Sequence, residues 1–253
     1  MRYVDLHCHL IPEIDDGATS LLETIEMLRY AHDHGTRGIV ASPHTFHSFY
    51  KNDHPLAVHD AYAHMVKRLH RLGQNYDYGF LKEMAIYLGS ENFVSPEFLA
   101  ALKRRDVLTL NGSRYLLIEF PPYLPFETVE SALAEIFYLD LVPVIAHVER
   151  YGFFERNLSR IASLKQIGCV IQVNAEAIVD LKGRGVARVM RPVLEAGLVD
   201  IVASDGHDVH SRPPDLAEAH EVLSAEFSDV TVAAWLWDNP ARILHDREII
   251  TAG

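Results

Sequence analysis

Only two of the 253 residues are cysteine, Cys8 and Cys169, and they form no CxxC pair. A disulfide framework is excluded, and a reducing, cytoplasmic setting is expected. Basic residues are also scarce: 23 Lys and Arg stand against 35 Asp and Glu, a formal charge of −12. Such a chain has no general attraction for nucleic acid or anionic lipid, so a phosphate-bearing ligand needs a local positive site. No apolar run approaches about 18 residues, which leaves no transmembrane span. No signal peptide is expected either, because Asp5, His7 and His9 interrupt the N-terminal stretch before a hydrophobic region forms. Tandem repeats, low-complexity tracts and long linkers are missing. So is a dinucleotide fingerprint, since Gly183-Arg184-Gly185 lacks a third glycine and does not directly follow a strand. No serine nucleophile elbow is present. Thiolate-dependent phosphate chemistry needs an Arg six positions after the Cys, and Ile14 and Ala175 hold those places.

What is present is a globular composition, 49% hydrophobic and 23% charged. Short buried-strand runs alternate with amphipathic helical stretches. Strands are expected at Tyr3 to Leu10, Gly38 to Ser42, Ala85 to Gly89, Tyr115 to Glu119, Val142 to Ala146, Cys169 to Val173 and Ile201 to Ser204. Between them, Ser20-Leu21-Leu22-Glu23 is a capping-box sequence, and Leu21, Leu22, Ile25, Leu28 and Ala31 follow at helical spacing until Gly35. Further helices are expected at Leu56 to Leu72, Pro96 to Lys103, Pro125 to Leu139, Leu158 to Ile167, between Gly185 and Ala196, from Asp215, and from about Asp229 onward. About seven β/α units in one series favour a single barrel-like domain over 1–253.

Histidine is over-supplied. With fifteen imidazoles and two thiols, any metal chemistry here uses nitrogen and oxygen ligands. His54, His59, His64, His70, His220 and His245 sit on polar helical stretches and are expected at the surface. Histidines and carboxylates gather at the C-terminal ends of the strands: His7-Cys8-His9, Pro43-His44, Glu91, Glu119, His147 and Asp205-Gly206-His207, with Gln172-Val173-Asn174 ending the sixth. In α/β barrels the loops that build active sites converge at that end. Strand alternation places Asp5, His7 and His9 on one face and Val4, Leu6, Cys8 and Leu10 on the other. Two imidazoles on one face can chelate a metal, while Cys8 points away as packing. Asp15 and Asp16 are two carboxylates on one loop, one of them a ligand and the other a helix N-terminal charge, in an order that spacing leaves open. The stretch from Pro43 to Pro55, with His47, Tyr50 and His54, is long enough for a lid or a substrate-facing wall. Phe46, Phe49 and Tyr50 are candidates to line an aromatic substrate, with packing an equal alternative. Arg150 and Arg212 lie beside ligand candidates and carry planar donor forks suited to phosphate oxygens, or to a surface ion pair.

These segments, in this order, resemble the PHP (polymerase and histidinol phosphatase) superfamily, and more closely its bacterial capsule-type protein-tyrosine phosphatases, the CpsB/CapC group. The resemblance rests on Asp5-Leu6-His7-Cys8-His9, Ile14-Asp15-Asp16-Gly17, Ile39 to His44, Gly89-Ser90-Glu91, Ile118 to Pro121, Ile145 to Arg150, Ala203 to His207, Ser211 to Pro214 and Asp238-Asn239-Pro240. It runs to about His245 and implies a distorted (β/α)7 TIM-like barrel, the PHP fold. It also implies three divalent metal ions. His7, His9, Glu91 and Asp205 would bind the first; Glu91 would bridge to a second completed by Glu119 and His147; Asp16, His44 and His207 would bind the third. Arg150 and Arg212 match the family's phosphate-binding arginines. The resemblance favours manganese, with iron and zinc chemically permissible. Its usual partner is the tyrosine-rich tail of an autophosphorylating bacterial kinase that controls polysaccharide export.

Three departures stand out: Glu13 where many relatives have Gly, Ser90 for a common Ala, and Gly206 for a common Ala or Met. The stretch from Asn174 to Arg191 fits the family least. The implied chemistry is metal-assisted hydrolysis of a phosphomonoester, in which cations generate hydroxide and the arginines neutralise phosphoryl charge. Phosphotyrosine suits it because a phenol of pKa about 10 leaves readily, and His44 is a candidate proton donor. Histidinol phosphate or another small phosphomonoester is the competing substrate, and carboxylates at Asp16 and Glu119 lean against it, since the histidinol-phosphatase-like relatives usually carry His there. A nuclease is disfavoured by the acidic balance, and a non-enzymatic metal-binding module by the intact ligand set.

Overall fold

In the computed structural model, which describes residues 2–50, 52, 54–152, 157–180 and 187–251, the expected alternation forms an α/β structure built on a curled, all-parallel sheet. The Gly183-Arg184-Gly185 stretch lies outside the described residues. The strands are β1 (Tyr3–Cys8), β2 (Thr36–Ala41), β3 (His44–Thr45), β4 (Ala85–Leu88), β5 (Glu91–Phe93), β6 (Tyr115–Glu119), β7 (Val142–Ile145), β8 (Val170–Asn174) and β9 (Ile201–Ala203). The helices are α1 (Leu21–Asp33), α2 (Pro55–Leu72), α3 (Pro96–Lys103), α4 (Phe126–Tyr138), α5 (Leu158–Gln166), α6 (Ala175–Val179), α7 (Ala187–Glu195), α8 (Ala217–Ser224), α9 (Asp229–Ala233) and α10 (Asn239–Leu244).

The expected strands at Gly38 to Ser42 and Ala85 to Gly89 form as β2 and β4, and each is followed after a short break by a further strand that the sequence pattern does not mark. Pro43 has no N–H to donate and interrupts one run between β2 and β3; Gly89-Ser90 interrupts another between β4 and β5. Each break moves the chain from the β1-β2-β4 sheet to the β3-β5-β6-β7-β8-β9 sheet. Ser90 fastens the second one. Its hydroxyl pairs with Thr45 Oγ1 at 2.5 Å and donates to the Pro43 carbonyl at 3.3 Å, contacts an alanine there would lack. The two sheets meet again at a parallel bridge from Cys8 to Gly206, where Asp205 N–H donates to the His7 carbonyl and His9 N–H to the Gly206 carbonyl, each at 2.8 Å.

Strand parity sets what faces what. Leu116, Ile118, Ile145, Ile171, Val173 and Val202 pack onto α3, α4 and α5 through Phe98, Leu102, Leu133, Ile136, Ile161 and Leu164. The opposite face gathers Leu6, Val40, Leu117, Val144, Val170 and Ile201, with Leu110, Ile243 and Leu244. Continuing that face by twos reaches Glu119, Gln172, Asn174 and Asp205, so the buried stripe leads to the polar end.

β1 departs from simple alternation. Its pairing with β2 shifts register between Asp5 and Cys8. Val4 and Leu6 join the face of Val40 and Leu117, whereas Cys8 and Leu10 pack with Met27 and Leu28 of α1. Asp5 therefore does not share a site with His7 and His9. Its carboxylate accepts from Ser204 N–H (3.0 Å) and Ser204 O–H (2.5 Å), closing the seam between β1 and β9. A bulge flips the side-chain faces beyond it, so counting by twos from Asp5 fails here.

Helix α1 begins as its sequence predicts. Ser20 Oγ accepts from Glu23 N–H, and the Glu23 carboxylate accepts from the Thr19 N–H at 2.7 Å, one residue before the cap. It ends where Gly35 takes φ +95°, a conformation open to glycine. Glu13, in the place of a common Gly, holds φ +64°, a left-handed conformation costing a non-glycine residue about 1–2 kcal/mol. No helix among the described residues is long and apolar enough to cross a membrane.

Candidate metal centre

At the C-terminal ends of the strands, the side chains converge much as the sequence predicts. His7, His9, Glu91 and Asp205 form one group, His9, Asp16, His44 and His207 a second, and His44, Glu91 and Glu119 a third; within each, the ligand atoms lie within 4.8 Å of one another. His7, His9, Glu91, His147, Asp205 and His207 are buried at 5% exposure or less. His147 is adjacent, its Nε2 lying 2.7 Å from Glu91 Oε1 and 3.7 Å from Glu119 Oε1. His44 differs from the expected partition. It stands between two groups, with Nδ1 2.9 Å from Glu91 Oε2 and Nε2 3.6 Å from Asp16 Oδ1.

The donor chemistry of this cluster fits cations. His7 Nε2 and His9 Nε2 lie 3.3 Å apart. Glu91 Oε2 is 3.3 and 3.5 Å from them, and Asp205 Oδ1 is 3.3 and 3.4 Å. His9 Nδ1 lies 2.8 Å from Asp15 Oδ2, an acceptor, which puts the ring proton there and leaves the Nε2 lone pair facing inward. Lone pairs and carboxylate oxygens crowding one buried point repel unless a positive charge lies among them. Buried Glu91 Oε2, Glu119 Oε2, His44 Nδ1 and His207 Nε2 make no hydrogen bond, although several approach one another closely. Such atoms are rare in proteins and mark ligand positions.

The electrostatics follow from the crowding. Burial and the neighbouring Glu91 charge push the Glu119 carboxyl up to about 8. Burial would also raise Glu91, but the His7 and His44 imidazoles outweigh it and hold Glu91 well below the usual carboxylate range. Burial, then the Asp5 charge, drive the Cys8 thiol well up. Cys8 is 0% exposed, its Sγ directed at the Gly206 carbonyl. Alkylation of the folded protein with iodoacetamide is accordingly expected to leave Cys8 unmodified, measured by mass spectrometry beside a protein with an exposed thiolate that the reagent labels.

The alternatives on the loop are now separated. Asp15 accepts from His9 and from the N–H groups of Gly17 (3.0 Å) and His44 (2.9 Å), so it organises the loop. Asp16 is the one that meets His207 Nε2, at 3.4 Å. Gly17 is pressed against His9, where an added Cβ would lie 2.2 Å from the His9 carbonyl oxygen. Arg150 Nη2 reaches Asp205 Oδ2 at 3.0 Å, and Arg212 Nη2 bonds the same oxygen. Both guanidinium groups stay partly exposed at the rim. Tyr50 stacks on His44 at 5.2 Å, and His47 packs against Phe93 at 4.5 Å. Phe46 does not join them; it is buried against Phe98. Phe49 is largely exposed, its ring tilted beside His47 at 5.0 Å. His54, His59, His64, His70 and His245 lie at the surface as expected, and His220 is half-buried beside Tyr3.

Two ligand candidates carry backbone conformations that sequence does not advertise. His147 has φ +31° and Asp205 φ +54°. The left-handed turn at each strand end swings the side chain toward the cluster.

Comparison with known proteins agrees with this geometry. The YwqE tyrosine-protein phosphatase of Bacillus subtilis is 34% identical over 253 residues, covering 97% of this chain and 93% of its own. The CpsB tyrosine-protein phosphatase of Streptococcus pneumoniae is 29% identical over 251 residues, covering 97% and 100%. A crystal structure from work on YwqE and CpsB, described as unique metal-dependent tyrosine phosphatases, superposes with a TM-score of 0.86 at 31% identity, covering 100% of this chain and 97% of that one. A dihydroorotase shares the fold alone, with a TM-score of 0.53 at 12% identity. The model of the family described as "Capsular polysaccharide synthesis, CpsB/CapC" matches residues 3–245, and the chain belongs to that family.

Proposed function

We propose that this chain is a metal-dependent protein-tyrosine phosphatase whose whole length works as one phosphoesterase domain. The observation that carries the reading is the buried meeting of His7, His9, Glu91 and Asp205, two imidazoles and two carboxylates whose ligand atoms lie within 4.8 Å of one another, a donor set suited to a divalent cation. Three divalent ions, manganese in the resting enzyme, would be held by His7, His9, Glu91 and Asp205; by Glu91, Glu119 and His147; and by Asp16, His44 and His207. Bound there, they would supply Lewis-acid stabilisation and a hydroxide nucleophile near neutral pH. The curled sheet is read as a distorted (β/α)7 barrel of the PHP type, a reading supported by its parallel strands and the Cys8–Gly206 bridge.

The chain's own groups do the rest. Arg150 and Arg212 converge from the rim on Asp205 Oδ2 and present planar forks that match phosphoryl oxygens. His44 is the most exposed of the five imidazoles and remains the candidate for proton delivery to the leaving oxygen. Tyr50 and His47 stand beside it as an aromatic wall for a phenyl ring. The substrate in the cell is taken to be the tyrosine-rich tail of a cytoplasmic bacterial tyrosine kinase that governs polysaccharide assembly.

The test is to strip the protein, restore manganese, iron or zinc singly, and compare a phosphotyrosine peptide with histidinol phosphate. The peptide is expected to be favoured at least about tenfold in kcat/KM, since phenolate is the better leaving group. Equal or reversed preference overturns the assignment. In the same assay, Arg150→Ala should raise KM about tenfold, consistent with losing one charge-assisted phosphate contact.

A further inference from the structure

β8 ends in two buried amides, Gln172 and Asn174, at a strand position where its neighbours offer imidazole or carboxylate. Neither offers an imidazole or a carboxylate, yet they join into a chain. His147 backbone N–H donates to Gln172 Oε1 at 2.9 Å, and His7 Nδ1 lies 3.3 Å from the same oxygen. Gln172 Nε2 donates to Asn174 Oδ1 at 2.9 Å, and Asn174 Nδ2 donates to Asp205 Oδ2 at 2.8 Å.

The ends of this chain fix its direction. At one end the His147 backbone N–H can only donate, so it demands the Gln172 oxygen. At the other, Asp205 Oδ2 already accepts from Arg150 and Arg212, so it demands the Asn174 nitrogen. Reversing either amide would set oxygen against oxygen or nitrogen against nitrogen at a buried contact. With Gln172 Oε1 fixed as an acceptor, the His7 ring proton sits on Nδ1, and Nε2 is left with its lone pair toward Glu91, Asp205 and His9. Asp205 is fixed likewise: Oδ2 is occupied from the side of Asn174 and the arginines, which leaves Oδ1 for the imidazoles.

We infer that Gln172 and Asn174 are positioning residues that set the His7 tautomer and the Asp205 carboxylate orientation for the first metal position. The amides also give Asp205 a partner that remains when Arg150 and Arg212 turn to a substrate phosphate. This rests on the metal reading proposed above, and the controls separate the two. Outer partners of this kind usually alter metal affinity by about 10–100-fold.

The experiment uses the full chain and the variants Gln172→Met and Asn174→Leu, each checked by circular dichroism and thermal unfolding. Manganese and zinc binding are titrated calorimetrically at 25 °C, well below the transition. Each variant should lose about 10–100-fold in affinity for the tightest ion while binding the remaining ions as wild type does. In the metal-free protein, at a pH high enough to leave the His7 ring neutral beside Glu91 and Asp205, histidine ¹⁵N–¹H correlation, with His7→Ala locating the resonance, should show His7 protonated at Nδ1, and Gln172→Met should shift it toward the Nε2–H form common in solution. Folded variants with wild-type affinity and an unchanged His7 tautomer would overturn the inference. If wild type itself binds no ion, the metal reading fails instead. Should Gln172→Met not fold, Asn174→Leu with Gln172→Glu, which keeps the acceptor for His7, carries the same test: Glu at 172 should preserve the tautomer, and its loss there would be equally fatal.

Discussion

Asp205→Ala should reduce phosphotyrosine hydrolysis by about a thousandfold or more, beyond the 10²–10³ typical for losing a single stabilising group. The reason is how many partners share this one carboxylate. Its Oδ1 lies 3.3 and 3.4 Å from His7 and His9 Nε2. Its Oδ2 accepts from Asn174 at 2.8 Å and Arg150 at 3.0 Å, and from Arg212 as well. Deletion removes a carboxylate proposed to hold an ion and frees two rim arginines and an amide together, and losses within such a unit do not simply add. Folding should survive. The arginines are partly exposed and resolvate, and although the His7, His9 and arginine contacts that favour the Asp205 charge are lost, the apolar core that carries the fold is untouched. Metal content by elemental analysis should fall in step with activity. A folded variant keeping a tenth of wild-type turnover would remove Asp205 from the centre of the mechanism.

Exhaustive chelation should abolish turnover and also lower the melting temperature. Acceptor atoms of Glu91, Glu119, His44 and His207 are buried without hydrogen bonds, and ions that engage them stabilise only the folded state. At free metal one hundred times Kd the linkage contributes about 2.7 kcal/mol per site, and for a chain of this length that is roughly 5–10 °C. Restoring manganese should recover both activity and melting temperature. Recovery of activity with an unchanged melting temperature would mean that the ions do not bind the preformed pocket described here.

Much of this site is legible in the sequence because parallel strands deliver their last residues to one place. His7, His44, Glu91, Glu119, His147 and Asp205 each follow a recognisable apolar run, and periodicity alone brings them to one end. What escapes is set by tertiary packing. The register shift that parts Asp5 from His7 arises from β1 pairing with β2 and meeting β9, and no local pattern encodes it. Asp15 and Asp16 are chemically identical neighbours, distinguished only by which one the loop turns toward His207. Phe46 carries the same hydrophobic character whether it faces a substrate or Phe98. Gln172 and Asn174 end a strand as visibly as the ligands do, but amides do not announce a metal. Their part appears only when both ends of the hydrogen-bond chain are seen.

The left-handed backbone at His147 and Asp205 has an evolutionary corollary. Glycine would relax both positions, each relieved of about 1–3 kcal/mol, and would erase a functional side chain in doing so. Selection of variants for heat resistance in the presence of a chelator, where ions add no stability, should therefore drift toward glycine at these two joints and enrich inert descendants. Only a screen that also scores turnover would keep the tension in place.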